Sequence, residues 1–175
     1  MIRDARPTDA AAIAAIWNPI IRDTDITFNP VEKSEDEIAD LIADRQAAGH
    51  AFLVAEPEGG RILGFASYFQ FRGGKGYART MEHSVNLAPE ARGRGLGAAL
   101  IEALAAHAEG RGMRMLIGAV TATNTGSLDF HRRLGFSESG RIREAGWKFG
   151  RYHDLVFLQK MLDPPHGQGE QAALE

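Results

Sequence analysis

The sequence predicts an α+β fold in three layers (α/β/α), with helices on both faces of a mixed, mostly antiparallel sheet. Along the chain the apolar residues alternate between the two-residue period of strands and the three-to-four-residue period of helices. The resulting order is β-α-α-β-β-β-α-β-α-β-β, with about seven strands and about four helices. Elements mixed in this way pack as layers around a shared core.

The first elements are bounded by capping and turn residues. A short strand over 2–5 precedes a helix that Thr8 can cap, and Pro19 is expected to weaken or bend that helix. The segment 34–37 reads Ser-Glu-Asp-Glu, a capping-box pattern for a second helix that Gly49 ends.

The rest of the chain completes the predicted sheet. In chain order the elements are strands over 51–56, 61–71 and 80–88, a helix from Leu96 to Gly110 or Gly112, a strand over 114–120, a helix over 124–134, and strands over 140–149 and 152–161. A Pro/Gly turn joins the first two of these strands and predicts a hairpin. We expect one domain over 1–163 and a polar C-terminal tail over 164–175.

The composition limits the possible functions. The chain has 175 residues, a net charge of −3, six histidines and no cysteine. This net charge gives no general attraction to nucleic acid or anionic membranes, so any anion site must be local. The absence of cysteine excludes disulfides and acyl-cysteine chemistry, and the histidines and carboxylates show no metal-ligand spacing. With no signal-peptide pattern and no apolar run of about 20 residues, we expect a cytoplasmic protein that binds no metal, no nucleic acid and no membrane.

A glycine-rich turn between a strand and a helix is the most informative local feature. It reads Arg92-Gly93-Arg94-Gly95-Leu96-Gly97-Ala98. Glycines let an anion approach the backbone, and the first N–H groups of a helix point outward without internal partners. The helix dipole and the two arginines both favour negative charge at that point. The turn therefore predicts a site for phosphate groups.

Three interpretations of this turn remain open from the residues alone: a tight turn with solvated arginines, a dinucleotide fingerprint, and a coenzyme A site. The spacing Gly93-x-Gly95-x-x-Ala98 fits the dinucleotide pattern. That pattern requires an acidic residue at the end of the next strand, and 113–120 contains none. A P-loop is excluded because no Gly-Lys-Ser/Thr follows.

The coenzyme A interpretation is supported by a family resemblance. Arg92-x-x-Gly95-x-Gly97 resembles the Q/R-x-x-G-x-G/A signature of the GNAT acetyltransferase superfamily. Downstream, Asn124 opens a short helix that ends at Gly135-Phe136, which resembles the second landmark of that superfamily.

Two further segments resemble one subgroup of that superfamily, the phosphinothricin and methionine sulfoximine N-acetyltransferases. Residues 77–85 are similar to its Tyr-x-x-Thr-Val-Glu-x-Ser-Val segment. Residues 146–154 are similar to its Gly-x-Lys-x-Gly-x-Trp-x-Asp segment, with Tyr152 in place of the tryptophan. The likeness extends over about 2–162. It implies the GNAT fold, acetyl-CoA as co-substrate, a small amine as acceptor and a homodimer.

The resemblance also assigns roles to individual residues. It implies that Glu82 is the general base and that His131 protonates the leaving thiolate. The implied cofactor-binding residues are Val85, Leu87, Arg92, Gly93, Arg94, Gly95, Leu96, Gly97, Ala98, Asn124 and Ser127. The expected substrate-binding residues are Phe28, Arg72, Gly73, Gly74, Glu82, His83, Ser84, Trp147 and Lys148.

Residue chemistry alone leaves a second interpretation for several of these positions. Glu82 alternates with apolar neighbours and can be a solvated strand carboxylate rather than a base. Asn124 can cap a helix as well as bind a pantetheine amide. His131 can be a packed helix histidine as well as an acid. Arg72, which could bind a carboxylate, and Trp147, which could wall a pocket, can equally be a surface charge and a core aromatic.

The leading hypothesis is acetyl transfer to the α-amine of a small amino acid analogue, by direct attack of the amine on the thioester. Two alternatives remain. One is acetylation of another amine, such as a protein N-terminus or a polyamine. The other is a coenzyme A-binding module without turnover, against which the presence of both Glu82 and His131 argues.

Overall fold

A computed structural model describes residues 1–57 and 59–164. The strands are β1 (Ile2–Asp4), β2 (Phe52–Ala55), β3 (Gly64–Gln70), β4 (Thr80–Leu87), β5 (Met115–Thr121), β6 (Ser137–Lys148) and β7 (Arg151–Met161). The helices are α1 (Ala10–Asp23), α2 (Glu35–Ala47), α3 (Leu96–Gly110) and α4 (Thr125–Arg133). The predicted polar tail lies outside the described residues from residue 165 onward.

The seven strands form one sheet in the order β1-β2-β3-β4-β5-β7-β6. Every neighbouring pair is antiparallel except β4 and β5, which are parallel. The prediction of a mixed, mostly antiparallel sheet flanked by four helices is confirmed.

The core lies in two layers, one on each face of the sheet. On β2, Leu53 and Ala55 pack in the cluster that contains α3 and α4 residues, whereas Phe52 and Val54 pack in the cluster of α1 and α2. This alternation follows from the two-residue period of a strand. Because helices cover both faces, the fold is the predicted three-layer α/β/α arrangement.

The parallel pair β4–β5 separates before either strand ends. Their pairing runs from Thr80–Met115 to His83–Gly118, while β4 continues to Leu87 and β5 to Thr121. On their outer sides both strands remain paired, β4 with β3 and β5 with β7. The strands therefore diverge in the middle of the sheet, and the gap opens a cleft.

The capping predictions had different outcomes. The capping box of α2 is confirmed, because Ser34 N–H donates to the Glu37 carboxylate at 2.7 Å and Glu37 N–H donates to Ser34 Oγ at 3.2 Å. The Thr8 cap of α1 is wrong. A short 3₁₀ helix over Pro7–Asp9 precedes α1, and the Asp9 carboxylate accepts the N–H of Arg6 at 2.7 Å. Pro19 lies inside α1 without ending it.

Candidate active site

A cavity of about 220 Å³ lies where β4 and β5 part. It reaches both faces of the sheet, because its walls come from α1 and the segment after it on one side and from α4 on the other. The lining residues are Trp17, Ile26, Thr27, Glu82, His83, Ser84, Val85, Asn86, Gly118, Ala119, Val120, Asn124, Ser127 and His131.

The cavity continues as a groove toward the glycine turn. An adjoining space of about 380 Å³ shares Val85, Asn86, Asn124 and Ser127 with the first cavity. That space in turn shares Leu87, Arg92, Gly97, Gly126 and Phe130 with a third one of about 440 Å³ at the start of α3. The groove therefore runs without interruption from Glu82 to the turn.

The glycine turn has the geometry that an anion site needs. Gly93 and Gly95 have φ angles of +73° and +76°, the left-handed region that favours glycine, and neither has another atom close to the position of a Cβ. Gly95 directly precedes the first residue of α3, so the free N–H groups of that helix open on the groove. Arg92 and Arg94 are exposed beside them. The residues fit the pyrophosphate of coenzyme A.

Glu82 lies on the α1 side of the cleft. It is half-buried, and it lines the cavity together with Trp17, Ile26 and Thr27. Burial raises the pKa of the Glu82 carboxyl above its usual range. A carboxylate with a raised pKa in a cavity is a candidate proton acceptor.

His83 and His131 form a buried pair on the opposite side of the cleft. Their Nε2 atoms are 3.1 Å apart, and Nδ1 of His131 donates to the carbonyl of Ser127 at 2.7 Å. Burial lowers the pKa of both rings, that of His83 to about 3. Gly118 allows this packing, since a Cβ there would lie 3.1–3.3 Å from the two rings.

Asn124 combines both of the roles considered for it. Its side-chain oxygen accepts the N–H of Ser127 at 3.1 Å, so it caps α4. It also lines the cleft, where its amide NH₂ group remains able to donate to a ligand. Val85 and Leu87, on the separated part of β4, border the same groove.

The predicted substrate-binding residues do not all lie together. Glu82, His83 and Ser84 line the cavity. The segment 72–74 is an exposed loop beyond the end of β3, and Trp147 is 58% exposed on the β6–β7 hairpin. Neither the loop nor Trp147 lines the cavity.

Two further expected substrate ligands pack against other residues of the protein. Phe28 lies against the backbone of Gly146, where a Cβ would overlap the ring. Lys148 is buried, and its ammonium donates to the backbone carbonyls of Ile21 and Thr27. Two of the three N–H groups of the Lys148 ammonium therefore have internal partners, and its contact with the substrate stays a prediction.

Several cleft residues are not among those that the sequence predicts for the site. Trp17 matches the apolar period of α1, which indicates only a packing role, and Ile26 belongs to no periodic segment. Gly118 does carry a signal, because a glycine inside a strand indicates a close approach by other groups.

The fold and the groove together define an enzyme that binds coenzyme A. The family model described as "Acetyltransferase (GNAT) family" matches residues 17–136. The chain belongs to this family and is an acetyl-CoA-dependent N-acetyltransferase. In residues 1–57 and 59–164, no group of three His, Cys, Asp or Glu side chains could hold a metal ion. No helix within those same ranges is long and apolar enough to span a bilayer.

Relatives with assigned activities cover nearly the whole chain. An L-methionine sulfoximine/L-methionine sulfone acetyltransferase from Pseudomonas aeruginosa is 39% identical over 172 residues, which cover 93% of this chain and 95% of the relative. A phosphinothricin N-acetyltransferase from Alcaligenes faecalis is 37% identical over 163 residues, with coverages of 93% and 82%. The acetyltransferase yncA from Salmonella typhimurium, solved with acetyl-CoA, superposes with a TM-score of 0.91 at 33% identity and covers 98% of each chain.

Proposed function

We propose that this enzyme acetylates the α-amine of a small amino acid analogue of the methionine sulfoximine or phosphinothricin type, with Glu82 as general base. The observation that carries the proposal is the half-buried Glu82 carboxylate in the cavity between β4 and β5. The acceptor class is supported by the similarity to enzymes named for these two substrates.

Acetyl transfer requires a neutral amine. An α-amine is less basic than the lysine ammonium but is still mostly protonated at neutral pH, so it must lose a proton before its nitrogen can attack. Glu82 accepts the proton while the amine nitrogen bonds to the thioester carbonyl carbon and the carbon–sulfur bond breaks. The raised pKa of Glu82 makes it a stronger base than an exposed carboxylate.

The other predicted residues along the groove would bind the cofactor. The free backbone of β4 around Val85 and Leu87 would pair with the pantetheine arm as an added strand does. A backbone N–H there would also stabilise the negative charge that develops on the thioester oxygen. The turn 92–98 would hold the pyrophosphate, and Asn124 and Ser127 would face the pantetheine.

The predicted proton donor to the leaving thiolate, His131, has other hydrogen-bond contacts in the structure. Protonation by His131 stays a prediction, because its Nδ1 donates to the Ser127 carbonyl and its Nε2 faces His83. To act as the acid, the His131 ring must exchange one of these contacts for the sulfur. The proposal for Glu82 does not depend on this step.

The test is a screen of acceptors combined with a base variant. Thiol release is measured with methionine sulfoximine, phosphinothricin, an alanine-initiated peptide and a polyamine. Activity confined to the peptide or the polyamine would contradict the acceptor class. With the best acceptor, Glu82→Gln should lower kcat by about 100-fold or more, the usual contribution of a general base, and leave the KM for acetyl-CoA unchanged.

A matched control separates the role of Glu82 from a general effect of removing a charge. Glu102→Gln makes the same chemical change on the exposed side of α3, and it should keep full activity. An unchanged kcat for Glu82→Gln across the pH range would show that another group removes the proton.

The homodimer implied by the resemblance is part of the same proposal. The β6–β7 hairpin, which includes the edge strand of the sheet, exposes five large apolar side chains: Ile142, Trp147, Phe149, Tyr152 and Met161. An exposed apolar patch of this kind is typical of a protein interface.

A further inference from the structure

Lys148 has an unusual environment for a lysine. It ends β6 and is only 5% exposed. Its ammonium donates to the carbonyl of Ile21 at 2.5 Å and to that of Thr27 at 2.7 Å. A buried ammonium is costly unless hydrogen bonds satisfy it, so these two contacts have to persist in the folded protein.

The two carbonyls belong to one stretch of chain. Ile21 is in the last turn of α1, where carbonyls lack partners within the helix and a positive charge is favourable. Thr27 lies in the segment that follows that helix. Lys148 therefore joins the end of α1 to the segment 24–28, and it anchors both to the β6–β7 hairpin.

Other contacts hold the same segment. The Asp25 carbonyl accepts from Thr121 Oγ1 at 2.5 Å, and the Asp25 carboxylate lies 3.1 Å from Thr123 Oγ1 and 3.4 Å from Nδ1 of His153. Phe28 stacks on the His153 ring with centroids 5.7 Å apart. Lys148 is the buried charge in this set of contacts.

This segment also forms the wall of the cavity next to Glu82. Ile26 and Thr27 line the cavity on that side. The Lys148 contact with the Thr27 carbonyl therefore acts directly on a lining residue. A change in the position of this wall would change the space available to the amine but not the turn that faces the pyrophosphate.

We propose that Lys148 is a positioning residue that fixes the acceptor-side wall of the cleft through the carbonyls of Ile21 and Thr27, without touching the acceptor. The inference rests on the proposed function for the identity of the acceptor. It replaces the direct contact with the substrate that the sequence resemblance implied for this lysine.

The two roles predict different kinetics for Lys148→Met, which keeps an unbranched side chain, shorter by the terminal nitrogen, and removes the charge. The variant is assayed with methionine sulfoximine and with its primary amide, which lacks the carboxylate. A misplaced wall should raise both KM values by the same factor, about 10-fold or more. The KM for acetyl-CoA should rise by a smaller factor, because of this wall only Ile26 also borders the adjoining groove. A rise confined to the carboxylate-bearing acceptor would show direct binding and overturn the proposal.

Lys160 provides a matched control. Its ammonium also donates to a backbone carbonyl near the end of a helix, that of Leu134 at 2.8 Å. Lys160→Met removes the same kind of contact far from the acceptor wall, so its KM for either acceptor should equal that of the wild type. An equal rise in both variants would indicate general destabilisation and contradict the specific role of Lys148.

Hydrogen exchange tests the inference independently of the substrate. In Lys148→Met the amides of residues 22–29 should exchange faster than in the wild type, and in Lys160→Met they should not. Unchanged protection of 22–29 in Lys148→Met would overturn the proposal even if every acceptor were inactive, so its failure is distinguishable from failure of the proposed function. If Lys148→Met does not fold, Lys148→Gln, which keeps an N–H donor but no charge and is too short to keep both contacts, provides the same comparison.

Discussion

The His83–His131 pair has a defined proton arrangement. A backbone carbonyl only accepts hydrogen bonds, so Nδ1 of His131 carries a proton toward Ser127 and Nε2 of the neutral ring is a lone pair. Nε2 of His83 must then carry the proton between the two rings. This leaves Nδ1 of His83 as a buried acceptor with no hydrogen-bond partner, which is consistent with the strongly lowered pKa of that ring.

The pair predicts a loss of stability in acid. The pKa of His83 is about 3 in the folded protein, against an ordinary value of 6.5. The contribution of the neutral ring to the free energy of unfolding is therefore complete above pH 6.5, and it is lost as the pH falls from there toward 3. At pH 5.5 the loss is on the order of 1 kcal/mol for one histidine. His83→Gln keeps a donor toward His131 but does not titrate.

The measurement is urea unfolding of both proteins at pH 7.5 and pH 5.5. Between these values, the free energy of unfolding should fall by about 1 kcal/mol less in His83→Gln than in the wild type. Equal falls would mean that His83 keeps an ordinary pKa in the folded protein.

At the scale of elements, the glycine turn determines how α3 presents its first N–H groups. Gly95→Ala places a Cβ on a residue with φ +76°, which should destabilise the protein by about 1–2 kcal/mol. We also expect a higher KM for acetyl-CoA, because relief of this strain would move the N–H groups. Gly95→Asn should be milder, since asparagine tolerates the left-handed region. Thermal unfolding and the acetyl-CoA KM provide the readouts.

Gly110 is the control for this element. It ends α3, its φ is not positive, and no neighbouring atom lies near the position that a Cβ would take. Gly110→Ala should leave the KM close to wild type and should not lower the stability, because alanine is the better helix former. An equal effect of alanine at both glycines would contradict the importance of the turn.

The helices and strands differ in how well the sequence predicts them. Elements with a strong local pattern, such as α2 with its capping box, agree closely with their prediction. The separation of β4 from β5 could not be predicted, because it depends on the register of two strands whose paired residues, such as Thr80 and Met115, are 35 residues apart. The buried position of Lys148 could not be predicted for the same reason, since its partners lie more than 120 residues away in the chain.

At the scale of the whole molecule, the β6–β7 hairpin exposes apolar side chains that no other element of the described structure buries. β6 is the edge strand, and nearly all of its 12 residues are exposed. Trp147 packs only edge-on against Tyr152, at 4.8 Å between ring centroids, and both rings remain more than half exposed. Exposed charges on β6, such as Arg141, Arg143 and Glu144, oppose uncontrolled pairing at this edge. They leave the exposed aromatic side chains of the hairpin without a cover. A second copy of the chain would supply this cover.

The turn of the hairpin supports the same conclusion. Phe149 and Gly150 have φ angles of +52° and +73°, a conformation in which asparagine or glycine is preferred at both positions. A phenylalanine at the first position therefore keeps backbone strain that glycine or asparagine would avoid. The side chain of Phe149 is 59% exposed, so it contributes little to the core of its own chain.

A charge placed in this patch should therefore separate the copies without unfolding them. Trp147→Asp would bury a carboxylate in the proposed interface, so sedimentation should show a monomer where the wild type is a dimer, with little change in thermal unfolding of the monomer. Ala106→Asp, at an exposed position on α3, should leave the dimer intact. Because Lys148 and Trp147 are neighbours on β6, loss of the dimer should also raise the KM for the amine more than that for acetyl-CoA. A wild type that sediments as a monomer would rule out the dimer and leave the acceptor wall to be held within one chain.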